Sequence, residues 1–287
     1  MTYETIVECE VLNEHLDDPD WVVVDCRFDI QLPDRCEREY RQAHISGAVY
    51  AHLDRDLSSR AIRGFTGRHP LPEPGAITRA FSGWGIGAGT QVVAYDESSG
   101  ALAAARLWWL LKWAGHDAVA VLDGGWKAWG AKGLSYSTGV ETRKPREFTG
   151  SFRPEMAMSA GQVLQVLGDH EWVVLDARSA DRYQGRGETI DPVPGHIRGA
   201  LSAPWQANVT EDGFLKPQVD LAARFEPLIG ARPGSQVVVY CGSGVTAAHD
   251  ALAMVRAGRG MPRLYPGSWS EWITDPSRPI VKGSEPG

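Results

Sequence analysis

The chain has 287 residues, of which 43% are hydrophobic and 23% are charged, and its formal net charge is −7 at pH 7. This length allows one large domain or two of ordinary size, and the negative charge argues against a nucleic-acid-binding surface. No apolar run reaches membrane-spanning length, and the acidic first residues lack an apolar signal core. We therefore expect a cytoplasmic protein that binds neither nucleic acid nor membrane.

The four cysteines are Cys9, Cys26, Cys36 and Cys241. No two of them have the C-x-x-C spacing of a zinc site or a redox dithiol, and four in a chain this long do not indicate a disulfide framework. We therefore expect no metal site. Cys26 ends an apolar run and is expected in the core.

The sequence contains one internal duplication. Three motifs recur in the same order: WVVVD at 21–25 and WVVLD at 172–176, HISGA at 44–48 and HIRGA at 196–200, QVVAYD at 91–96 and QVVVYC at 236–241. A repeat of this length indicates two homologous domains rather than a solenoid. We expect an N-terminal domain over residues 1–134, a polar linker over 135–154 and a C-terminal domain over 155–287.

Both halves show the same predicted elements in chain order. An early helix precedes a buried strand ending in Asp; a polar helical segment, the HI-x-GA turn, a short strand and a helix follow. A second buried strand then leads through a loop into a helix, a last short strand and a Gly-Trp helix. Strands alternating with helices predict an α/β fold, with a mostly parallel sheet flanked by helices in each domain.

The strongest chemical signal lies in residues 236–258. Three valines predict a buried strand, a Gly-rich loop begins at Cys241, and helical periodicity starts at Thr246. Glycines there let backbone N–H groups turn inward as an anion-binding nest at the helix N-terminus, where a thiol ionises more readily. Cys241 is thus the predicted nucleophile, although a small inert thiol in a tight turn is the plainer alternative. The loop residues concerned are Gly242, Ser243, Gly244, Val245 and Thr246.

The first half carries Asp96 where the second carries Cys241. Because a carboxylate cannot perform thiol chemistry, we expect catalysis in the C-terminal domain alone. The N-terminal domain is then expected to form a wall of the cleft between the two, since ligand sites favour domain interfaces.

With these motifs, the chain resembles the tandem-domain rhodanese family of sulfurtransferases. The resemblance covers nearly the whole chain and rests on several motifs in order: Asp25-Cys-Arg27, the HI-x-GA turns, Leu122-Asp-Gly-Gly-Trp126, Asp176-Ala-Arg178, Arg182-Tyr-x-Gly185, Cys241-Gly-Ser-Gly-Val-Thr246 and Gly267-Ser-Trp-x-Glu-Trp272. It implies two rhodanese-like domains, of which the C-terminal one is catalytic.

The resemblance also implies a reaction. The Cys241 thiolate attacks the outer sulfur of an anionic donor, 3-mercaptopyruvate or thiosulfate, and becomes a persulfide. Cyanide, a small thiol or a reduced thioredoxin-like protein then removes that sulfur, so ping-pong kinetics are expected. Ser243 would hydrogen-bond the thiolate or the donor, and no metal or organic cofactor is needed.

Arginines should hold the charged end of the donor. Arg182 matches a substrate-binding arginine of the family. Arg186 is only near the position of a second one, because the loop here is shorter; a solvated surface arginine is the alternative for both. The resemblance further implies His44 and an acid such as Asp34 as accessory residues from the first domain, although a turn histidine found in both halves can be purely structural.

Three further polar side chains are expected outside the chemistry. Arg178 is expected to pair with the strand-end Asp176. His249, on the helix after the nucleophile loop, is expected on the outer face of that helix.

The neutral residues Gly242 and Ser243 favour 3-mercaptopyruvate, because thiosulfate-preferring members resemble Cys-Arg-Lys-Gly-Val-Thr, with two cations for a dianion. Thiosulfate is the alternative donor. A cysteine phosphatase would need arginine at Ala247 and is disfavoured. A non-catalytic binding module would be expected to lack the nucleophile, and Cys241 with its glycine loop is intact.

Overall fold

A computed structural model describes residues 2–287. The chain forms two units. The first contains the residues up to Ser59, Leu71–Arg153 and Glu211–Phe214, and the second contains Arg60–Pro70, Pro154–Thr210 and Leu215–Gly287. We expected the chain to divide between residues 134 and 155. In the structure two short segments are exchanged: residues 60–70 belong to the second unit, and residues 211–214 belong to the first. This exchange determines which side chains can build a site in the second unit.

The first unit is a parallel sheet with helices. Its elements are β1 (Ile6–Val7), α1 (Cys9–Glu14), β2 (Trp21–Asp25), α2 (Arg35–Gln42), β3 (His44–Ile45), β4 (Val49–Tyr50), α3 (Pro74–Gly83), β5 (Gln91–Tyr95), α4 (Ala103–Trp113), β6 (Val119–Leu122), α5 (Gly125–Ala131) and β7 (Tyr136–Ser137). Five strands pair in the order β1-β6-β5-β2-β4, every neighbour parallel, while β3 pairs antiparallel with β7.

The second unit repeats this plan. Its elements are α6 (Ala160–Val166), β8 (Val173–Asp176), α7 (Ala180–Gln184), β9 (His196–Ile197), β10 (Leu201–Ser202), α8 (Gln218–Ile229), β11 (Val237–Tyr240), α9 (Ala247–Arg256), β12 (Arg263–Leu264), α10 (Ser268–Trp272) and β13 (Ile280–Val281), with 3₁₀ turns at Pro154–Met156, Trp205–Asn208 and Gly234–Gln236. The parallel order is β10-β8-β11-β12, and β9 pairs antiparallel with β13.

The amino-acid sequence explains why β2, β5 and β11 are interior strands of their sheets. All residues of β2, β5 and β11 are buried, and their valine runs suit a strand covered by helices on both faces. Because parallel strands end at the same sheet edge, the residues after β8 and β11 lie together. The predicted α/β fold is confirmed.

The helices of residues 2–287 are modest in length. None of them combines the length and the apolar character that crossing a lipid bilayer requires.

Candidate active site

Backbone hydrogen bonds fix the loop that begins at Cys241. This residue directly follows β11 and is 2% exposed. Its N–H donates to Ser268 Oγ at 3.1 Å, and its carbonyl accepts from Trp269 N–H at 2.9 Å. The carbonyl of Gly242 accepts from Ser270 N–H at 2.9 Å. The start of α10 therefore anchors the predicted nucleophile through main-chain groups and leaves its sulfur out of these bonds.

Ser243 lies in this loop and contacts a residue that the sequence did not point to. His69 Nδ1 is 2.7 Å from Ser243 Oγ, and both residues are buried. His69 comes from the 60–70 segment, which belongs to the second unit. The pair offers an exchangeable proton beside the nucleophile loop.

Arg182 lies where the sequence predicted a donor-binding arginine. A Cβ built on Gly242 would be 3.4 Å from both Nη atoms of Arg182, so the guanidinium lies against the residue after Cys241. Two carboxylates hold it: Nε donates to Glu188 Oε2 and Nη2 donates to Asp191 Oδ2, each at 2.9 Å.

Asp191 binds a second arginine with its other oxygen. Arg68 Nη1 donates to Asp191 Oδ1, and Arg68 Nη2 would be 2.8 Å from a Cβ on Gly242. Burial raises the pKa of Asp191, and the guanidinium groups of Arg68 and Arg182 oppose that rise. Neither Arg68 nor Asp191 was predicted, since Arg68 lies in the expected N-terminal domain and Asp191 in a variable loop.

Glu188 is the second carboxylate that holds the guanidinium of Arg182. Burial raises the pKa of this carboxyl, but hydrogen bonds from Arg182 and from the N–H groups of Ile190 and Asp191 more than offset it and leave the pKa below its ordinary value. The side chain of Glu188 is thus ionised at neutral pH and orients the guanidinium of Arg182 through their ion pair.

The structure places Arg186 elsewhere. Its side chain is 66% exposed and its Nη2 donates to Asp181 Oδ1 at 2.7 Å; the side chain of Asp181 is 69% exposed. The contacts of Arg186 are those of a surface arginine, which was the alternative considered, and the structure does not bring it to Arg182.

His44 and Asp34 lie in the first unit. His44 is buried, with Nδ1 2.7 Å from the Tyr40 carbonyl and its ring stacked on Tyr40. His196 repeats this geometry, with Nδ1 2.8 Å from the Tyr183 carbonyl and its ring stacked on Tyr183. A geometry repeated in both units favours the structural role. Asp34 is exposed at the start of α2 and makes no side-chain capping bond.

The paired strand-end residues are structural, as expected. Arg178 donates from Nε and Nη2 to Asp176 and from Nη2 to the Gly195 carbonyl, entirely within the core. Arg27 and Asp25 form the same fork in the first unit. These forks tie the end of a central strand to the turn that follows the polar helix.

Comparison with known proteins identifies the family. The family model described as "Rhodanese-like domain" matches residues 8–132 and 159–275. The chain belongs to the rhodanese family. A Pseudomonas aeruginosa protein named "Probable 3-mercaptopyruvate sulfurtransferase" is 44% identical over 99% of this chain and 100% of its own. Arabidopsis thaliana "Thiosulfate/3-mercaptopyruvate sulfurtransferase 2" is 33% identical, over 99% of this chain and 88% of its own.

A solved structure is similar over the same range. SseA from Escherichia coli, described as a 3-mercaptopyruvate sulfotransferase, superposes with a TM-score of 0.81 at 33% identity and covers 94% of this chain and 100% of its own. The resemblance inferred from the motifs is confirmed.

In the first rhodanese-like domain, Asp96 occupies the position of Cys241. Burial raises the pKa of its carboxyl, and hydrogen bonds from backbone N–H groups oppose that rise; we interpret the side chain as a resident anion. Its carboxylate is buried and accepts hydrogen bonds from four backbone N–H groups. The donors are Ser98 and Gly100 at 2.8 Å, Leu102 at 3.1 Å and Ala104 at 3.2 Å. The loop after β5 is therefore a nest of backbone N–H groups that a side chain fills; the nest after Cys241 stays a prediction.

We expect Asp96→Asn to lower the free energy of unfolding by about 2 to 4 kcal/mol, because an amide has one acceptor oxygen and its NH₂ would face N–H donors in a buried nest. Urea denaturation measures the change. Asp34→Asn, at an exposed carboxylate of the same domain, is the control and should change stability by less than about 0.5 kcal/mol. Equal effects of the two substitutions would contradict the resident-anion role.

The other three thiols of this rhodanese are poor nucleophiles. Burial raises the pKa of Cys9 to about 11 and that of Cys36 to about 11, and it raises the pKa of Cys26 as well. Since the thiolate is the reactive form, they are largely protonated at neutral pH. Among residues 2–287, no group of three or more His, Cys, Asp or Glu side chains is placed to hold a metal ion.

The predicted outer position of His249 is wrong. His249 is fully buried on α9, because the 3₁₀ turn Trp205–Asn208 covers that face of the helix. The Trp205 ring meets the imidazole edge-on at 5.7 Å, and Asn208 Nδ2 is 3.1 Å from His249 Nδ1.

The neighbouring Asp250 is expected to make the stability of the fold depend on pH. Burial raises its pKa to about 6, against the opposing effects of Arg224 and of the hydrogen bond from Asn208. The pKa of Asp250 is thus higher in the folded state than in the unfolded state, so folding is favoured when this acid is protonated. Its contribution to the free energy of unfolding is fully present below about pH 4 and is lost as the pH rises through about 6.

We expect Asp250→Asn, which keeps a neutral side chain of similar size, to gain stability relative to wild type by at most about 3 kcal/mol between pH 4 and pH 7.5. Urea denaturation at both pH values gives the difference. Asp220→Asn, at an exposed position of α8, is the control. A variant-minus-wild-type difference that is the same at both pH values would show that the folded-state pKa is not raised.

Proposed function

We propose that this chain is a sulfurtransferase that moves a sulfane sulfur from 3-mercaptopyruvate to a thiol or cyanide through a Cys241 persulfide. One observation carries the proposal: Cys241 follows the central strand β11, and the guanidinium of Arg182 lies against the next residue, Gly242. A nucleophile and an anion-binding group are thus adjacent, in a chain whose relatives are named for this chemistry.

In the first step, the Cys241 thiolate attacks the sulfur of 3-mercaptopyruvate. The S–S bond forms as the C–S bond breaks, and the electron pair leaves on carbon as the enolate of pyruvate. The thiol proton of the donor is passed to that enolate, which gives pyruvate and the anionic persulfide. Ser243 and His69, 2.7 Å apart, are suited to carry this proton because a hydroxyl and an imidazole can exchange it.

In the second step, an acceptor attacks the outer sulfur and the Cys241 thiolate leaves. Cyanide becomes thiocyanate, and a small thiol or a thioredoxin-like protein becomes a persulfide. The backbone N–H groups of the Gly242–Thr246 loop stabilise the charge on sulfur in both steps. The four N–H groups around the Asp96 carboxylate support this, since they occupy the equivalent loop.

The neutral loop favours 3-mercaptopyruvate as the donor. Gly242 and Ser243 add no positive charge beside Cys241, and Arg182 is already paired with Glu188 and Asp191. A monoanionic carboxylate suits this electrostatic environment better than dianionic thiosulfate does. Thiosulfate is the second candidate, because a 33% identical relative is named for both donors.

The test is the steady-state kcat/KM for each donor with cyanide as acceptor, together with the mass of the Cys241 peptide after the donor is added alone. We expect turnover with a preference for 3-mercaptopyruvate, and one added sulfur atom on that peptide. A thiosulfate preference would overturn the donor assignment. Absence of both turnover and the added sulfur would overturn the sulfurtransferase proposal and favour a binding module.

A further inference from the structure

We propose that residues 60–66, called the docking turn, bind the protein that takes sulfur from Cys241. The partner that fits this surface carries its reactive thiol beside an apolar patch bordered by carboxylates. The docking turn belongs to the second unit, as Cys241 does. The inference rests on the proposed function for the role of the partner as sulfur acceptor, but docking itself can be tested without donor turnover.

The docking turn presents two large apolar side chains to solvent. Phe65 is 77% exposed, the highest value for a large hydrophobic side chain among residues 2–287, and Ile62 is 59% exposed. Isolated apolar side chains on a surface are ordinary, whereas several that border one site indicate a binding surface. Both belong to one short turn, so a partner that covers one of them can cover the other.

The docking turn is held together by its own hydrogen bonds. Ile62 N–H donates to Thr66 Oγ1 at 2.9 Å, and the N–H groups of Phe65 and Thr66 both donate to the Ile62 carbonyl at 3.0 Å. Gly64, between the two apolar residues, has φ +81° and supplies the left-handed conformation that closes the turn. The backbone is thus already folded in the free protein, and a partner does not have to order it.

The docking turn is attached beside the nucleophile loop. A Cβ on Gly67 would lie 2.4 Å from the Gly267 carbonyl oxygen and 3.1 Å from Ser270 Oγ. Ser270 N–H donates to the carbonyl of Gly242, the residue after the nucleophile, at 2.9 Å. Phe65 is two residues before Gly67, so their Cα atoms are at most about 7 Å apart. A partner that covers Phe65 therefore comes close to the nucleophile loop.

A third exposed apolar residue approaches the loop from another stretch of the chain. Ile190 is 44% exposed, and it precedes Asp191, whose carboxylate accepts a hydrogen bond from Arg68 Nη1. Arg68 Nη2 would be 2.8 Å from a Cβ on Gly242. Apolar side chains from two separate segments thus border the nucleophile loop. Cyanide or a small thiol cannot span this area, whereas a protein can cover it while its thiol reaches Cys241, which is only 2% exposed.

The charge of the segment indicates the kind of protein. Residues 60–70 contain three arginines and no Asp or Glu, in a chain whose net charge is −7. Arg60 and Arg63 are exposed on the docking turn. Phenylalanine and arginine are both enriched in protein interfaces. Carboxylates around the partner's apolar patch would complement Arg60 and Arg63 and speed the encounter.

Single-turnover transfer tests the docking turn. Cys241 is first converted to the persulfide with 3-mercaptopyruvate, and its loss is then followed after addition of reduced thioredoxin or mercaptoethanol. We expect Phe65→Ser to lower the ratio of the thioredoxin rate to the mercaptoethanol rate about tenfold, the size expected for an aromatic interface anchor. Arg63→Glu should lower the ratio as well, and Arg63→Lys, which keeps the charge, should lower it less.

Val219→Ser is the matched control, because Val219 is 71% exposed on α8 of the same unit. It should leave the ratio at the wild-type value. Equal ratios in Phe65→Ser and Val219→Ser overturn the proposal, and so does a wild-type persulfide that reacts with mercaptoethanol but not with thioredoxin. If Phe65→Ser instead weakens sedimentation with phosphatidylglycerol vesicles and leaves the ratio unchanged, the docking turn binds a membrane and the proposal is overturned.

A second measurement separates docking from the proposed function. Thioredoxin is prepared with thionitrobenzoate in a disulfide on its attacking thiol. The Cys241 thiolate attacks the thioredoxin sulfur, a new disulfide forms, and thionitrobenzoate leaves as its coloured thiolate. We expect Phe65→Ser to lower this rate about tenfold relative to the rate with the symmetric disulfide of thionitrobenzoate.

The two measurements fail in different ways. If no persulfide forms with either donor, the proposed function is overturned, and the disulfide reaction still decides whether the turn docks a protein. An unchanged rate ratio in Phe65→Ser, or no reaction of the wild type with the thioredoxin disulfide, overturns the docking role.

Discussion

Cys241→Ser is expected to lower kcat/KM for both sulfur donors by about four orders of magnitude or more, because an alcohol ionises far less readily than a thiol and cannot carry a sulfane sulfur. The fold should tolerate the change. The loop is held by the main chain of Cys241, through Ser268 Oγ and Trp269 N–H, and serine is nearly isosteric. Steady-state assays and urea denaturation measure the two effects separately.

Cys36→Ser is the control for this substitution. Cys36 is a buried thiol of the first rhodanese-like domain, with a pKa raised to about 11 by burial. It should therefore keep activity in the folded enzyme even if it loses some stability. Residual turnover above one-hundredth of wild type in Cys241→Ser, or an equal loss in Cys36→Ser, would contradict Cys241 as the nucleophile.

Gly244→Ala is expected to cost about 3 to 5 kcal/mol of folding free energy and to abolish turnover. Gly244 has φ +75°, and a Cβ there would lie 2.4 Å from the Pro266 carbonyl oxygen and 2.8 Å from Pro266 Cα. Backbone strain of about 1 kcal/mol or more adds to an overlap that backbone movement must relieve. Because Pro266 precedes the segment that anchors Cys241, that movement displaces the nucleophile loop.

Gly168→Ala separates the cost of backbone strain from the cost of steric overlap. Gly168 has φ +84° but nothing lies within 4 Å of a Cβ there, so only the backbone term of about 1 kcal/mol applies. Urea denaturation of both variants gives the difference. Equal losses of stability would mean that the contact with Pro266 costs nothing and that conformation alone explains the glycine.

Local sequence patterns were sufficient to predict the scaffold. The valine runs at 21–25 and 237–240 predicted buried strands, and the glycine loop before 247–256 predicted a nucleophile at a strand end. Each of these signals lies within a few residues of the structure that it specifies. The duplication predicted two homologous domains with a mostly parallel sheet in each, since matching motifs in matching order indicate the same topology.

The rest of the site depends on contacts that no local pattern encodes. His69 and Ser243 are 174 residues apart, and Arg68 and Asp191 are 123 apart. Nothing in the composition of residues 60–70 shows that they belong to the second unit. The error at His249 has the same origin: helical spacing gives the faces of α9, but the 3₁₀ turn at 205–208 that covers one of them is specified elsewhere.

The exchange of segments 60–70 and 211–214 constrains how the protein is made. A chain leaves the ribosome N-terminus first at about 5 to 20 residues per second. Ser243 follows His69 by 174 residues, so it is synthesised roughly 9 to 35 seconds later. The first unit also lacks residues 211–214 until most of the chain has emerged. Neither unit can reach its final form as an early cotranslational product. A nascent chain that ends at residue 153 would lack residues 211–214 of the first unit and would contain none of Arg182, Asp191 and Cys241.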